Sequence, residues 1–362
     1  MAIKILHVIA GMGSGGAEAM IMNWYRNIDR ASVQFDFLLR STENMYIDEI
    51  EKLGGKVYYT AEYPRHYFKN KKETIRFFKQ HASEYAAIHV HCNALLYVNI
   101  FNIAKKYGIK TNIIHSHSIK TKNRVFEIIH KLNKKRMHKM ANVFYACSQE
   151  AGQWAFHKGI EYQIIKNGIN VERFKYNAEA REKLRAELGI EGKCVLGHVG
   201  RFLDVKNHMF LLDVFEKIRK KRNDARLILV GTGPLEEKIK EETERRGLVE
   251  QVRFLGVRKD VENIYSAIDI FALPSKYEGL GIVLIEAQAS GLPCVASDCI
   301  PKECKILDSL QFLPITDSEA WSNYILKIVV PDNRLKYCDD VVNAGFDVKE
   351  SVKKIQDFYC TL

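Results

Sequence analysis

The sequence predicts an α/β protein of two doubly wound domains, and three observations carry that prediction. A chain of 362 residues exceeds one ordinary core, because single cores stop growing at roughly 250–300 residues. Short β-rich runs alternate with helix-length segments along the whole chain, the rhythm of parallel sheets covered on both faces. Twelve such runs are more than one comfortable sheet holds. Hydrophobic residues make up 47% of the chain, enough to fill two interiors.

In order, the first half offers "IKILHVIA", "VQFDFLL", "KVYYT", "AAIHVH", "TNIIHS", "NVFYACS" and "YQIIKNG" as strands, and the second half offers "CVLGHVG", "ARLILVG", "QVRFLG", "IDIFALP" and "LPCVAS". The seam lies in Asn167–Lys193, which opens on an Asn-Gly turn and continues as a charged helix. Expected domains are therefore 1–180 and 181–345. The segment 346–362 is an amphipathic helix with Val352, Ile355 and Phe358 on one side, a candidate to cross back onto the first domain.

Composition bounds the setting. The eight cysteines contain no C-x-x-C pair and several sit in apolar runs, as reduced core thiols do in a cytoplasmic protein. The N-terminal run "MAIKILHVIAGMGSGG" leads from a strand into glycines and has no cleavage signature, so it reads as structure and not as an export signal. No run of about 18 apolar residues exists to span a membrane. Residues 1–180 hold 27 Lys/Arg against 15 Asp/Glu, while 181–362 hold 28 against 29. A basic half beside a neutral one suits an anionic partner, although a Lys-rich composition alone gives the same balance.

Three loops carry chemistry. Gly11, Gly13 and Gly16 satisfy G-x-G-x-x-G after the first strand, a dinucleotide fingerprint that is weak when alone. Glu18 would set a carboxylate among the same phosphates, and the acid expected farther on, Asp36, lies inside a strand. Another ligand, or a purely structural turn, fits as well. After "LGHVG", Arg201 and Lys206 leave the end of a strand, where open sheets bind ligands; they can neutralise a diphosphate or simply be solvated. In "EGLGIVLIEAQASG", Glu278 precedes a glycine turn into a helix, and Glu286 lies about one turn inside among aliphatic residues. A carboxylate there needs hydrogen bonds, from ligand hydroxyls or from a cation. Two acids for hydroxyls, two cations and a helix N-terminus describe a pocket for a nucleotide sugar.

At this point the chain resembles the family-4 retaining glycosyltransferases. Glu278 to Glu286 resembles their E-x7-E element and "GRFLDVKNH" their diphosphate loop; "GGAEAMIMNWYR", "IIHSHS", "CSQEAGQW", "IIKNGINVERF", "VGTGPLEEKIK" and "FLGVRKDVENIYSAIDIFALPSKYEGLG" follow in the family's order. The branch building capsular and extracellular polysaccharides is the most similar. The resemblance implies the GT-B fold, two Rossmann-like domains facing across a cleft. It implies Glu278 on the donor sugar hydroxyls with the backbone of Gly279, Leu280, Gly281 and Ile282 around the sugar and phosphates. Glu286 would take the ribose, Arg201 and Lys206 the diphosphate, and Gly256, Val257 and Arg258 the base. In the first domain, Gly15 and Gly16 would flank the donor phosphate, Glu18 the acceptor, and His117 the reacting sugar, with His115 competing for that place and a structural histidine the alternative. Leu280 stands where the family usually carries an aromatic.

The implied reaction is retaining transfer from a nucleotide diphosphate sugar, with a UDP-sugar favoured, to a glycan or polyprenyl-diphosphate-linked acceptor. No D-x-D element is present, so neither a metal nor a cofactor is expected. The basic runs "HYFKNKKETIRFFKQH" and "IKTKNRVFEIIHKLNKKRMHKM" interleave cations with apolar residues as an interfacial helix would; a solvated face is the alternative. They suit an anionic surface on the inner side of a membrane, and no nucleic-acid module is recognisable. Competing readings are a nucleotide-sugar epimerase or hydrolase, an NAD(P)-dependent oxidoreductase, and a silent sugar-binding protein.

Overall fold

The structure, a computed structural model, describes residues 2–13, 15–41, 45–119, 121 and 123–362. It divides into two compact units: residues 1–168 with 348–362, and residues 169–347. The division expected after residue 180 thus falls at Gly168/Ile169. Its cause is the helix Ala178–Leu188, whose Arg181 and Arg185 both reach buried Asp269 and cap the carbonyls at the end of the helix Val261–Ala267.

The first unit is built on a parallel sheet of β1 (Ile3–Val8), β2 (Val33–Leu39), β3 (Val57–Tyr59), β4 (Ala87–Cys92), β5 (Thr111–Ser116), β6 (Val143–Ala146) and β7 (Gln163–Ile164), in the order β3-β2-β1-β4-β5-β6-β7. Alternate residues face opposite sides, and the two faces bury different cores. Leu6, Val8, Leu38, Ile88, Val90 and Ile114 point to one. Ile5, Phe35, Phe37, Ala87 and Ile113 point to the other, beneath the helices Gly16–Asn27 and Val348–Tyr359. The C-terminal helix is held by Val348, Val352, Ile355 and Tyr359, with Phe358 only partly buried, and Trp24 Nε1 donates to Ser351 Oγ at 3.1 Å.

The second unit repeats the plan with β8 (Cys194–Val199), β9 (Ala225–Val230), β10 (Val252–Phe254), β11 (Ile270–Leu273), β12 (Cys294–Ser297) and β13 (Leu310–Leu313), parallel in the order β10-β9-β8-β11-β12-β13. Strand β13 was not anticipated: four residues before Pro314 are too short to show a period. Each sheet reverses its winding once, between β1 and β4 and between β8 and β11, and the crevice outside those strand ends is where such sheets bind ligands.

Candidate active site

In the second unit, the loop after β8 passes Arg201, turns through a short 3-10 segment (Asp204–Lys206) and enters the helix His208–Lys221 through Asn207, whose φ of 57° is left-handed. Asparagine tolerates that conformation better than most residues. The loop after β9 clasps it: a Cβ on Gly231 would lie 2.1 Å from the Gly200 carbonyl oxygen, and one on Gly233 2.6 Å from that of Phe202. The glycines of "VGTG" therefore fix the height at which Arg201 and Lys206 emerge. Arg201 is exposed and makes no ion pair among the described residues, whereas Lys206 Nζ bonds Glu278 Oε1 at 2.6 Å.

Glu278 follows β11. Ser275 Oγ donates to the same Oε1 at 2.6 Å, so one carboxylate oxygen takes both a cation and a hydroxyl. Gly281, at φ 84°, starts the helix Ile282–Ala289, whose first N–H groups have no partner within the helix. Leu280 is turned into the core, so Gly279 to Ile282 can offer a ligand mainly backbone here. One turn on, Glu286 Oε2 accepts from Tyr265 Oη at 2.8 Å. It makes no ion pair among the described residues, and burial raises its carboxyl to about 7 against the opposing Tyr265 bond. Gly256, at φ 62°, leads to exposed Val257 and to Arg258, whose fork is closed on Asp260 at 2.9 and 2.7 Å.

In the first unit, Gly15 caps the helix Gly16–Asn27, and a Cβ there would meet Glu18 Oε2 at 2.3 Å. The Glu18 carboxylate thus folds over the helix N-terminus, and burial raises its pKa. Asp36 accepts from the Lys56 backbone N–H at 2.8 Å and the Tyr85 hydroxyl at 3.0 Å. A dinucleotide would need a free helix end and a free ribose acceptor, whereas here the Glu18 carboxylate lies over the helix end and Asp36 is already bonded, an arrangement that does not favour the oxidoreductase reading. The loop's Ser14 lies outside the described residues.

Behind that loop the sheet carries five buried imidazoles on one face: His7, His89, His91, His115 and His117. The register sets His7 beside His89 and His91 beside His115. His117 Nε2 pairs with His91 Nδ1 at 2.9 Å, and the His117 backbone N–H donates to Cys92 O. His115 stacks on His117 at 4.2 Å, with both its ring nitrogens buried and unpartnered among the described residues. Burial lowers His117 to about 3, so the ring is neutral near pH 7. Sequence reasoning singled out His115 and His117 but missed His7, His89 and His91; the alternation in "HVH" was the available signal. Two trios, His7/His89/His91 and His91/His115/His117, bring their nitrogens within 4.8 Å of one another, but pairing between rings already uses those of His7, His91 and His117 that face each other.

The basic run after β5 folds as the helix Arg124–Lys134, capped by Asn123. Polar residues pack it down: His130 stacks on Trp154 at 4.2 Å and Asn133 donates to Leu95 O. Its aliphatic stripe is left outside, with Val125 63%, Ile128 60% and Leu132 60% exposed. On the helix Tyr67–His81, Phe68 is 84% exposed. Lys120 and Lys122 lie outside the described residues. No helix among those described is long and apolar enough to cross a membrane.

Two Rossmann-like sheets, each with polar residues at its switch point, and a Lys-Glu pair beside a glycine-started helix define the GT-B class of transferase fold. Residues 180–345 match the family "Glycosyl transferases group 1" and residues 14–173 match "Glycosyltransferase Family 4". EpsF of Bacillus subtilis (strain 168), named as a glycosyltransferase, is 35% identical over 376 residues, covering 98% of this chain and 96% of its own. CapH of Staphylococcus aureus, a capsular polysaccharide biosynthesis glycosyltransferase, is 23% identical over 99% and 98% of the two chains. The UDP-Gal:alpha-D-GlcNAc-diphosphoundecaprenol alpha-1,3-galactosyltransferase of Escherichia coli is 27% identical over 55% and 54%. HepE of Anabaena, solved with UDP and glucose, superposes with a TM-score of 0.78 at 20% identity, over 99% of this chain and all of that one. The chain belongs to the family-4 glycosyltransferases and is a glycosyltransferase.

Proposed function

We propose that the protein is a retaining, metal-independent transferase that moves a sugar from a UDP-sugar to a glycan or polyprenyl-diphosphate-linked acceptor during assembly of a surface polysaccharide. The observation that carries this is the Lys206–Glu278 pair, with Arg201 on the loop of Lys206 making no ion pair among the described residues. Without donor, Lys206 and Glu278 satisfy each other. A diphosphate competes for Lys206, because a doubly charged oxyanion group attracts an ammonium more strongly than one carboxylate. Glu278, released from Lys206 but still bonded by Ser275, then accepts from the sugar hydroxyls.

Glu286 takes the ribose hydroxyls, the backbone of Gly279 to Ile282 surrounds sugar and phosphate, and Gly256 to Arg258 flank the base. In the first unit, the roles are Gly15 and Gly16 to the donor phosphate, Glu18 to the acceptor and His117 to the sugar. As the bond from sugar C1 to the diphosphate oxygen breaks, Arg201, Lys206 and the helix N-terminus at Ile282 stabilise the departing charge. The acceptor hydroxyl bonds C1 on the same face and passes its proton to the departing phosphate oxygen. The names of the Escherichia coli relative and of the HepE complex support UDP as the nucleotide, and the former supports a lipid-linked acceptor.

The basic half and the outward aliphatic stripe support work against the anionic inner face of the cell membrane, with the rest of the chain in the cytoplasm. Cations draw the helix Arg124–Lys134 down, and Val125, Ile128 and Leu132 enter the headgroup boundary.

A thermal-shift panel of UDP, GDP, ADP, NAD and NADP tests the donor site. Ligand at a hundred times its dissociation constant adds about 2.7 kcal/mol. UDP is expected to stabilise the wild type and to leave the Arg201→Ala/Lys206→Ala variant unmoved. Stabilisation by NAD or NADP alone, or a UDP shift retained in the double variant, contradicts the reading.

A further inference from the structure

Arg40 stands just past the end of β2, and its backbone N–H donates to the Ala10 carbonyl at 2.9 Å, which ties it to the loop after β1. It therefore emerges at the carboxyl end of the first sheet, the end that also carries His117 after β5. The side chain is half-buried and its guanidinium lies over the ring of Tyr97, 4.1 Å from the centroid. It makes no hydrogen bond and no ion pair among the described residues, and its Nε is fully enclosed without a partner.

The fold treats other enclosed arginines differently. Arg185 bonds Asp269 and the carbonyl of Ala267, Arg246 pairs with Asp213, Glu216 and Glu242, and Arg334 donates to the carbonyls of Tyr265, Ser266, Ile268 and Ser290. A guanidinium has five donors and keeps its charge at any working pH. Enclosing one unpaired costs free energy that a single ring contact does not offset. No compensating anion faces it either. The ionisable groups facing Arg40 among the described residues are Tyr97, Cys92 and Tyr63, and burial raises all three above their ordinary values, so each is neutral near pH 7. Both hydroxyls are engaged elsewhere: Tyr97 Oη lies 2.8 Å from Thr74 Oγ1, and Tyr63 Oη donates to Leu96 O at 3.1 Å. The result is a cation fixed by an aromatic face with its donor fork uncommitted, which suits an oxyanion arriving from outside.

We propose that Arg40 binds an oxyanion of the acceptor, a phosphate or a carboxylate, at the carboxyl end of the first sheet. This rests on the proposed transfer only for the identity of the ligand as acceptor. The oxyanion site itself follows from Arg40 and is separate from Arg201 and Lys206, which belong to the other unit.

Calorimetry with two probes tests it: geranyl diphosphate stands for a lipid-linked phosphate and glucuronate for an acidic sugar. Both are titrated into full-length Arg201→Ala/Lys206→Ala protein, so that the second unit's cations take no part and a failure of the donor site is not read as a failure here. At least one probe is expected to bind at millimolar concentration, and the one that binds names the oxyanion. Adding Arg40→Met should weaken it about tenfold or more, the size of one lost hydrogen bond to a charged group. Arg40→Lys keeps the charge without the fork and should fall between the two. Melting temperature separates binding from packing: methionine keeps much of the volume and removes an uncompensated charge, so Arg40→Met should melt at or above its parent. Binding of neither probe, binding retained within twofold in Arg40→Met, or a melting temperature several degrees below the parent each overturns the proposal.

Discussion

At the switch point of the first sheet the polar groups are neutral imidazoles that pair with one another, while at the switch point of the second they are a lysine, an arginine and two carboxylates. The strand orders are alike, β3-β2-β1-β4-β5-β6-β7 and β10-β9-β8-β11-β12-β13, so topology alone does not set the chemistry. The difference follows from burial. The first face is closed under two helices and Trp24, where only uncharged groups are affordable. The second keeps its charges half-buried at a loop edge, able to exchange one another for a ligand. One switch point is suited to hold charge and the other to hold uncharged polar groups.

The largest expected effect comes from the charged side. Glu278→Gln should lower transfer on the order of a hundred- to a thousandfold, the size seen on losing one preorganised polar contact in a transition state. Single-turnover assays with UDP-sugar check this; a change under fivefold would remove Glu278 from the chemistry.

On the neutral side, Ile355→Ala should destabilise the first unit by roughly 2–5 kcal/mol, because Ile355 is fully buried among residues of both covering helices and the sheet. Denaturant melts with and without UDP sharpen the comparison, since UDP should stabilise the second unit's transition and leave the lost packing unrepaired.

The Glu286 carboxyl is raised from its ordinary 4.5 to about 7 by burial. A raised value means that its contribution to stability is full below pH 4.5 and lost as pH rises through about 7. Glu286→Gln should therefore be more stable relative to wild type at pH 8 than at pH 5. Nucleotide binding runs the other way, because ribose hydroxyls donate to the ionised form. UDP affinity of the wild type should rise about tenfold from pH 6 to pH 8, and calorimetry should find that slope absent in Glu286→Gln.

The smallest stability effect is expected on the outward helix. Val125→Ser/Ile128→Ser/Leu132→Ser should change folding stability little, as exposed substitutions stay within about 0.5 kcal/mol each. It should nonetheless reduce cosedimentation with phosphatidylglycerol vesicles several-fold, with neutral vesicles as control. Unchanged vesicle binding would make the stripe an interface of another kind.

Much of this was legible in the sequence, and the failures have physical causes. All twelve anticipated strands are present, most because parallel strands buried on both faces read as apolar runs, while β3 and β7 at the sheet's edges are partly or wholly exposed. The Lys206–Glu278 bond spans 72 residues of sequence and was not legible, although each partner was. "HSHS" gave His115 and His117, while the same alternation in "HVH" went unread, and that His7 joins His91 and His91 joins His117 shows only in the folded contacts. The run "VFEIIHKL" was expected as an interfacial or a solvated helix, and the structure makes it a helix with Val125, Ile128 and Leu132 exposed; that His130 is the side chain it buries was not legible.

Isothermal calorimetry of UDP on Lys206→Ala and Glu278→Gln tests the exchange of partners most directly. The account predicts that Lys206→Ala weakens UDP by tenfold or more, while Glu278→Gln binds UDP as well as or better than wild type, because Lys206 no longer has to leave a carboxylate. Equal weakening in both variants, or none in either, would contradict it.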